Sequence, residues 1–120
     1  MKRTGPTDVN VRRLVRFLRK RSSELKVNIW RDLAERISRP RRIRIEVNVG
    51  RIHRNTSAGD VVVVPGKVLG AGMIDHPVIV GALSFSSKAY EKIVGAGGKC
   101  LSISDLMNQY PNGSDVKILG

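Results

Sequence analysis

The sequence predicts an α/β fold, and three observations carry that prediction. Apolar residues recur at helical spacing through the first third of the chain. From Ile43 the apolar period drops to two. Two short apolar runs, residues 61–64 and 78–83, are then followed by segments that alternate between helical and extended patterns. With 120 residues, 41% of them hydrophobic, the chain is long enough for one domain with a modest core.

The first predicted helix covers residues 8–21, with Thr7 or Asp8 as its cap after Pro6. Val11, Leu14, Val15 and Leu18 form its apolar face at i, i+3, i+4 and i+7 spacing. Arg12, Arg13, Arg16, Arg19 and Lys20 gather on the opposite face. A merely solvated face usually mixes in acids at i,i+4, but none occurs between Asp8 and Glu24. The spacing therefore points to a phosphate-binding face. A second helix is expected over residues 28–38, with Trp30, Leu33, Ala34 and Ile37 inward. Its outer face neutralises itself through Arg31 with Glu35 and Asp32 with Arg36, so Trp30 reads as core and not as a base-stacking platform. Pro40 ends this helix and keeps its surroundings extended, so that Arg39, Arg41, Arg42 and Arg44 fan out from a loop with no acidic partner nearby.

Ile43, Ile45, Val47 and Val49 alternate with Arg44, Glu46 and Asn48, which predicts a half-buried strand. Residues 50–60 read as a polar loop that adds Arg51, His53 and Arg54 to the basic set. Residues 61–64 and 78–83 read as buried strands. Pro65-Gly66 between them fits the corner of a type II turn, with Lys67 beside it. Ser86 or Ser87 caps a helix to about residue 94, with Ala89, Tyr90, Ile93 and Val94 inward, and the glycines at 95, 97 and 98 break it. A strand over 99–101, a helix opened by Ser102 and Asp105 and closed before Pro111, and a strand over 116–119 complete the pattern. Val62, Val64, Val78, Val80, Ile93, Leu101 and Leu106 are the expected core.

Charge decides the class of partner. The net charge is +12. Residues 1–60 hold 17 Lys/Arg against 6 Asp/Glu, whereas residues 61–120 hold 5 against 4. All 14 arginines lie at or before Arg54. Arginine's planar fork binds phosphate bidentately, as lysine cannot. A polyanion is the expected partner, nucleic acid ahead of an anionic membrane. No apolar run approaches the ~20 residues of a membrane span, and the first helix needs its Trp-free apolar face for the core. Met1-Lys2-Arg3-Thr4 is not followed by the apolar stretch of a signal peptide, so a soluble intracellular protein is expected.

Catalytic and metal motifs are missing from the linear sequence. Residues 95–99 lack the spacing of a Walker loop, and Gly70-Ala-Gly72 is followed by Asp75 where a dinucleotide fingerprint has its third glycine. Cys100 is alone, which excludes an internal disulfide and a cysteine-based zinc site. His53 and His76 have no carboxylate at ligand spacing in the pattern, and Asp75-His76-Pro77 reads as a turn. No catalytic residue, metal, cofactor or small-molecule substrate is expected.

Several strings in the chain are distinctive: Trp30-Arg-Asp-Leu-Ala34 behind the arginine helix, Val47-Asn-Val-Gly-Arg-Ile52, and Gly59-Asp-Val-Val-Val-Val-Pro-Gly-Lys-Val-Leu-Gly70. Gly97-Gly98-Lys99, Pro111-Asn-Gly113 and the closing Val116-Lys-Ile-Leu-Gly120 continue the series. On these residues the chain resembles, over essentially its whole length, the archaeal form of the large-ribosomal-subunit protein eighteen-e family. The resemblance implies a fold shared with bacterial large-subunit protein fifteen: an irregular superhelix of strand-strand-helix units, preceded here by a helical N-terminal region. It further implies cytoplasmic localisation on the ribosome, large-subunit ribosomal RNA as principal ligand, neighbouring ribosomal proteins as further partners, and no catalytic residues. The expectation is thus one domain over 1–120, a basic helical arm (1–42) packed on an α/β body (43–120). From the charge pattern, and not from the resemblance, Arg12, Arg13, Arg16, Arg19, Lys20, Arg39, Arg41, Arg42, Arg44, Arg51, His53, Arg54 and Lys67 are expected to clamp folded RNA. An aromatic content of 4% argues against recognition by base stacking. The alternative is a free nucleic-acid-binding regulatory protein, which a competition between structured RNA and duplex DNA separates.

Overall fold

A computed structural model describes residues 9–38, 45–113 and 115–119. Its elements run α1 (Val9–Leu25), α2 (Asn28–Ile37), β1 (Ile45–Asn48), α3 (Val49–Asn55), β2 (Val61–Leu69), β3 (Ile79–Phe85), α4 (Ser87–Gly95), β4 (Lys99–Ser102), α5 (Ile103–Gln109) and β5 (Val116–Ile118). This is the expected α/β class. The five strands form a single parallel sheet in the order β1-β2-β3-β4, with β5 also paired to β2. The cap expected at Thr7 or Asp8 and the arginines of 39–44 lie outside the described residues.

Strand β2 organises the core because its apolar run is continuous and each face is covered. Val61 and Val63 point into a cluster with Val15, Leu18, Trp30, Leu33, Ile37, Leu106 and Val116. Val62, Val64 and Val68 point the other way, into a cluster with Val47, Val49, Ile52, Val80, Ala89 and Ile93. Helices α1, α2 and α5 therefore cover one face of the sheet, and α3 and α4 the other. Trp30 is fully buried as expected, and its indole N–H donates to the Pro111 carbonyl at 2.8 Å, which ties α2 to the segment after α5. Of the expected core, Val62, Val64, Val78, Val80, Ile93 and Leu106 are buried, and Leu101 packs half-buried against the first cluster.

Four local expectations need correction. Pro65-Gly66 is not a turn: β2 runs through it. Between Val64 and Lys67 the pairing slips, so that β2 gains one residue on β3, where Ala82 and Ser84 are the partners. Such a bulge is where a strand tolerates proline, which has no N–H for the ladder. Gly66 is required because a Cβ there would run into the Ile45 carbonyl of β1. Secondly, the loop expected over 50–60 opens as helix α3, which begins already at Val49. Thirdly, Tyr90 and Val94 of α4 are exposed, at 54% and 46%, because only Ala89 and Ile93 face the sheet. Lastly, α1 continues past residue 21 to Leu25. It stops where Lys26 turns left-handed (φ 56°) and the Val27 N–H returns to the Ser22 carbonyl at 3.1 Å, a Schellman-type end. The two expected serine caps hold: Ser86 Oγ accepts from the Ala89 N–H at 3.1 Å and Ser102 Oγ from the Asp105 N–H at 3.2 Å.

Candidate nucleic-acid interface

Helix α1 presents its charges as the spacing implies. Val15 and Leu18 are buried, Val11 and Leu14 half-buried, and Arg12, Arg13, Arg16, Arg19 and Lys20 all exposed. Arg21 flanks this face half-buried, its guanidinium 6.0 Å from the Phe17 ring centroid, with a buried Nε that has no hydrogen-bond partner. The neighbouring α2 differs in the way its sequence indicates, since Arg36 pairs with Asp32 at 3.3 Å.

The remaining described cations are elsewhere. Arg51 and Arg54 are exposed on α3, and His53 between them is half-buried. Since α3 packs on the α4 side of the sheet, these side chains are not on the same face as those of α1. Lys67 is exposed on β2 with Glu46 of β1 as its registered neighbour, an opposite charge that blunts its pull on a phosphate. Of the expected RNA-binding residues that are described, those of α1 and those of α3 form two separate groups, with Lys67 on β2, and Arg39, Arg41, Arg42 and Arg44 lie outside the described residues.

The structure also assembles groups that linear spacing kept apart. Asp75 Oδ1 lies 3.4 Å from His53 Nδ1 and 3.5 Å from His76 Nδ1. Thr56, just beyond α3, donates its hydroxyl to the Ile52 carbonyl at 2.6 Å and sits 2.8 Å from His76 Nε2. Lys92 of α4 donates to the Gly70 and Gly72 carbonyls, each at 2.6 Å. Residues 50–60 carry no apolar period that would place His53 and Thr56 on one side of a helical turn.

Two further ionisable groups, Asp60 and Cys100, are shifted by their surroundings. The Ser57 N–H, 2.9 Å from Asp60 Oδ2, and the Lys117 ammonium at 3.0 Å hold the Asp60 carboxyl below its usual range. Burial pushes the Cys100 thiol up to about 11, so it is protonated and unreactive near neutrality. Among the described residues no helix is long and apolar enough to cross a membrane.

Fold and surface together define a class: a small α/β protein with a strongly basic helical face. Comparison with known proteins sharpens this. The family described as ribosomal protein 60S L18 and 50S L18e matches residues 3–120. Large ribosomal subunit protein eL18 of Methanopyrus kandleri is 48% identical over 121 residues, covering 97% of this chain and 95% of its own length. The protein of the same name from Pyrobaculum aerophilum is 47% identical over 116 residues, with 97% and 95% covered. That from Archaeoglobus fulgidus is 43% identical over 119 residues, with 99% of each covered. The chain belongs to the L18/L18e family of ribosomal proteins. That family is structural and non-enzymatic, and works in the ribosome in the cytoplasm.

Proposed function

We propose that this chain is a structural constituent of the large ribosomal subunit that binds and stabilises folded large-subunit ribosomal RNA, supporting translation. The observation that carries this reading is the outer face of α1, five exposed cations opposite a face spent on the core. Phosphate oxygens are the natural counter-charges, and arginine forks fix orientation on them. The second group, Arg51 and Arg54 with His53, faces another direction and suits a second stretch of RNA, so the protein acts as a wedge between RNA segments. Arg39, Arg41, Arg42, Arg44 and Lys67 add to the clamp. The chain works as one domain, the basic arm 1–42 on the body 43–120; support comes from the shared cluster of α1 and α2 with β2, α5 and β5. Neighbouring ribosomal proteins complete its surroundings.

The test is a salt titration of binding to a large-subunit ribosomal RNA fragment. With about six phosphates neutralised, log K falls with log salt at a slope of roughly −4 to −5, at ~0.7–0.9 per contact. A slope near zero, or equal affinity for duplex DNA in competition, rejects the reading.

A further inference from the structure

Four side chains that take no part in the α1 surface converge where α3 meets the segment between β2 and β3. Asp75 Oδ1 stands between two imidazole nitrogens, His53 Nδ1 at 3.4 Å and His76 Nδ1 at 3.5 Å. The rings lie side by side, with centroids 5.0 Å apart. A ligand atom from each of the three residues lies within 4.8 Å of the others.

The hydrogen-bond directions constrain the proton positions. The Thr56 hydroxyl has one hydrogen, and the 2.6 Å contact directs it to the Ile52 carbonyl. Its oxygen therefore accepts from His76, whose Nε2 must carry the hydrogen. In the neutral ring this leaves a lone pair on His76 Nδ1, 3.5 Å from a carboxylate oxygen. His53 Nδ1 is buried and has no hydrogen-bond partner, although it faces the same oxygen. When the His53 hydrogen also sits on Nε2, three electron-rich atoms stand together, and a cation among them satisfies all three.

We propose that His53, His76 and Asp75 form a binding site for a divalent transition-metal ion of the zinc type. Two ligand atoms held ~2.0–2.1 Å from a tetrahedral ion are about 3.3 Å apart, close to both separations measured at Asp75. Two imidazoles and one carboxylate suit zinc, and a water takes the fourth position on the open side of Asp75, whose side chain is 64% exposed. Thr56 is a positioning residue: a metal-bound histidine usually donates its second N–H to a fixed acceptor, which sets tautomer and ring orientation. The ion would pin α3, with Arg51 and Arg54, to the segment whose Gly70 and Gly72 carbonyls Lys92 holds.

The experiment is calorimetric titration of the chelator-treated full chain with Zn2+, paralleled by the visible spectrum with Co2+. Saturable uptake of one ion per chain and a tetrahedral cobalt spectrum are expected. His53→Gln and His76→Gln should each abolish both, Cys100→Ser should change neither, and Thr56→Val should weaken uptake about 10- to 100-fold while sparing all three ligands. Absence of saturable uptake, or uptake retained by a His53→Gln/His76→Gln variant, overturns the proposal. Ring-nitrogen NMR of the unsubstituted protein keeps the test independent of variant folding. On adding Zn2+ both Nδ1 signals should move and His76 Nε2 should keep its hydrogen; unmoved Nδ1 signals reject the site.

Discussion

Helices α1 and α3 both expose arginines, on opposite faces of the sheet, and hold them by different means. α1 has 17 residues, enough turns to devote one face to Val15 and Leu18 and leave another to Arg12, Arg13, Arg16, Arg19 and Lys20. Its charges are separable from the core, because no buried residue occupies their face. α3 has 7 residues, of which Val49, Gly50 and Ile52 are buried. So short a helix is marginal alone. It is held by packing, by the Gly50 N–H on the Ala71 carbonyl (3.0 Å) and by Asn48 Oδ1 on the Ala71 N–H (3.1 Å). The difference teaches that a binding surface on a long helix tolerates substitution independently of the fold, whereas one on a tethered turn does not.

The largest expected effect breaks binding and leaves folding alone. Arg13, Arg16 and Arg19 changed together to Glu should give an unaltered circular dichroism spectrum and no entry into large subunits on gradient fractionation. Each charge-assisted contact is worth ~1.5–3 kcal/mol, and reversal adds repulsion to the loss. Normal assembly of this folded variant would assign α1 to solvent. Next, Val64→Asp should unfold the chain, at a cost of about 4 kcal/mol or more, because an unpaired carboxylate is buried in the sheet that both helices share. Thermal denaturation reads this directly, and an unchanged Tm would refute the packing.

A narrower test sharpens the contrast. Gly72 has φ +92° and a Cβ there would stand 2.7 Å from Gly50 Cα, inside α3. Gly72→Ala should cost about 1–3 kcal/mol. Hydrogen exchange should speed up in α3 and stay unchanged in α1; uniform acceleration would mean that the two helices are one cooperative unit. The smallest effect lies just after α3, at Asp60. Its folded pKa lies below the ordinary aspartate value, with the Ser57 N–H as the main cause and Lys117 second. The stability it adds is present above its unfolded pKa and fades as pH falls through the folded one. Asp60→Asn should therefore lower Tm slightly at neutral pH and not at all in strong acid. A Tm deficit that persists at about pH 2 would show that the carboxylate's charge is not the cause.

The same contrast explains what could be read from the residues alone. α1, α2, α4 and α5 were legible because caps and period-3.6 stripes are local, and β2 and β3 because valine runs suit a sheet covered on both faces. α3 was not, since Val49, Gly50 and Ile52 make no stripe in seven residues. The Pro65-Gly66 bulge has the same composition as a turn; only the close approach of the Ile45 carbonyl distinguishes them. Tyr90 and Val94 fit an inward stripe, but only Ala89 and Ile93 of α4 are buried against the sheet. The meeting of His53, Thr56, Asp75 and His76 depends on tertiary placement, and linear spacing carries no trace of it.

One edge of β2 carries two short strands end to end, β5 against Val61–Val63 and β1 against Gly66–Leu69. Residue 116 must find residue 61, a separation of 55 positions, and such distant pairings form slowly. Until β5 docks and the Leu119 N–H reaches the Val63 carbonyl at 3.0 Å, four consecutive valines present an open, uncharged edge. Strands of that kind template association between chains. The strand with the most distant pairing is therefore also the guard against aggregation. Truncation before residue 116 should leave a protein that precipitates during refolding at concentrations where the full chain stays clear.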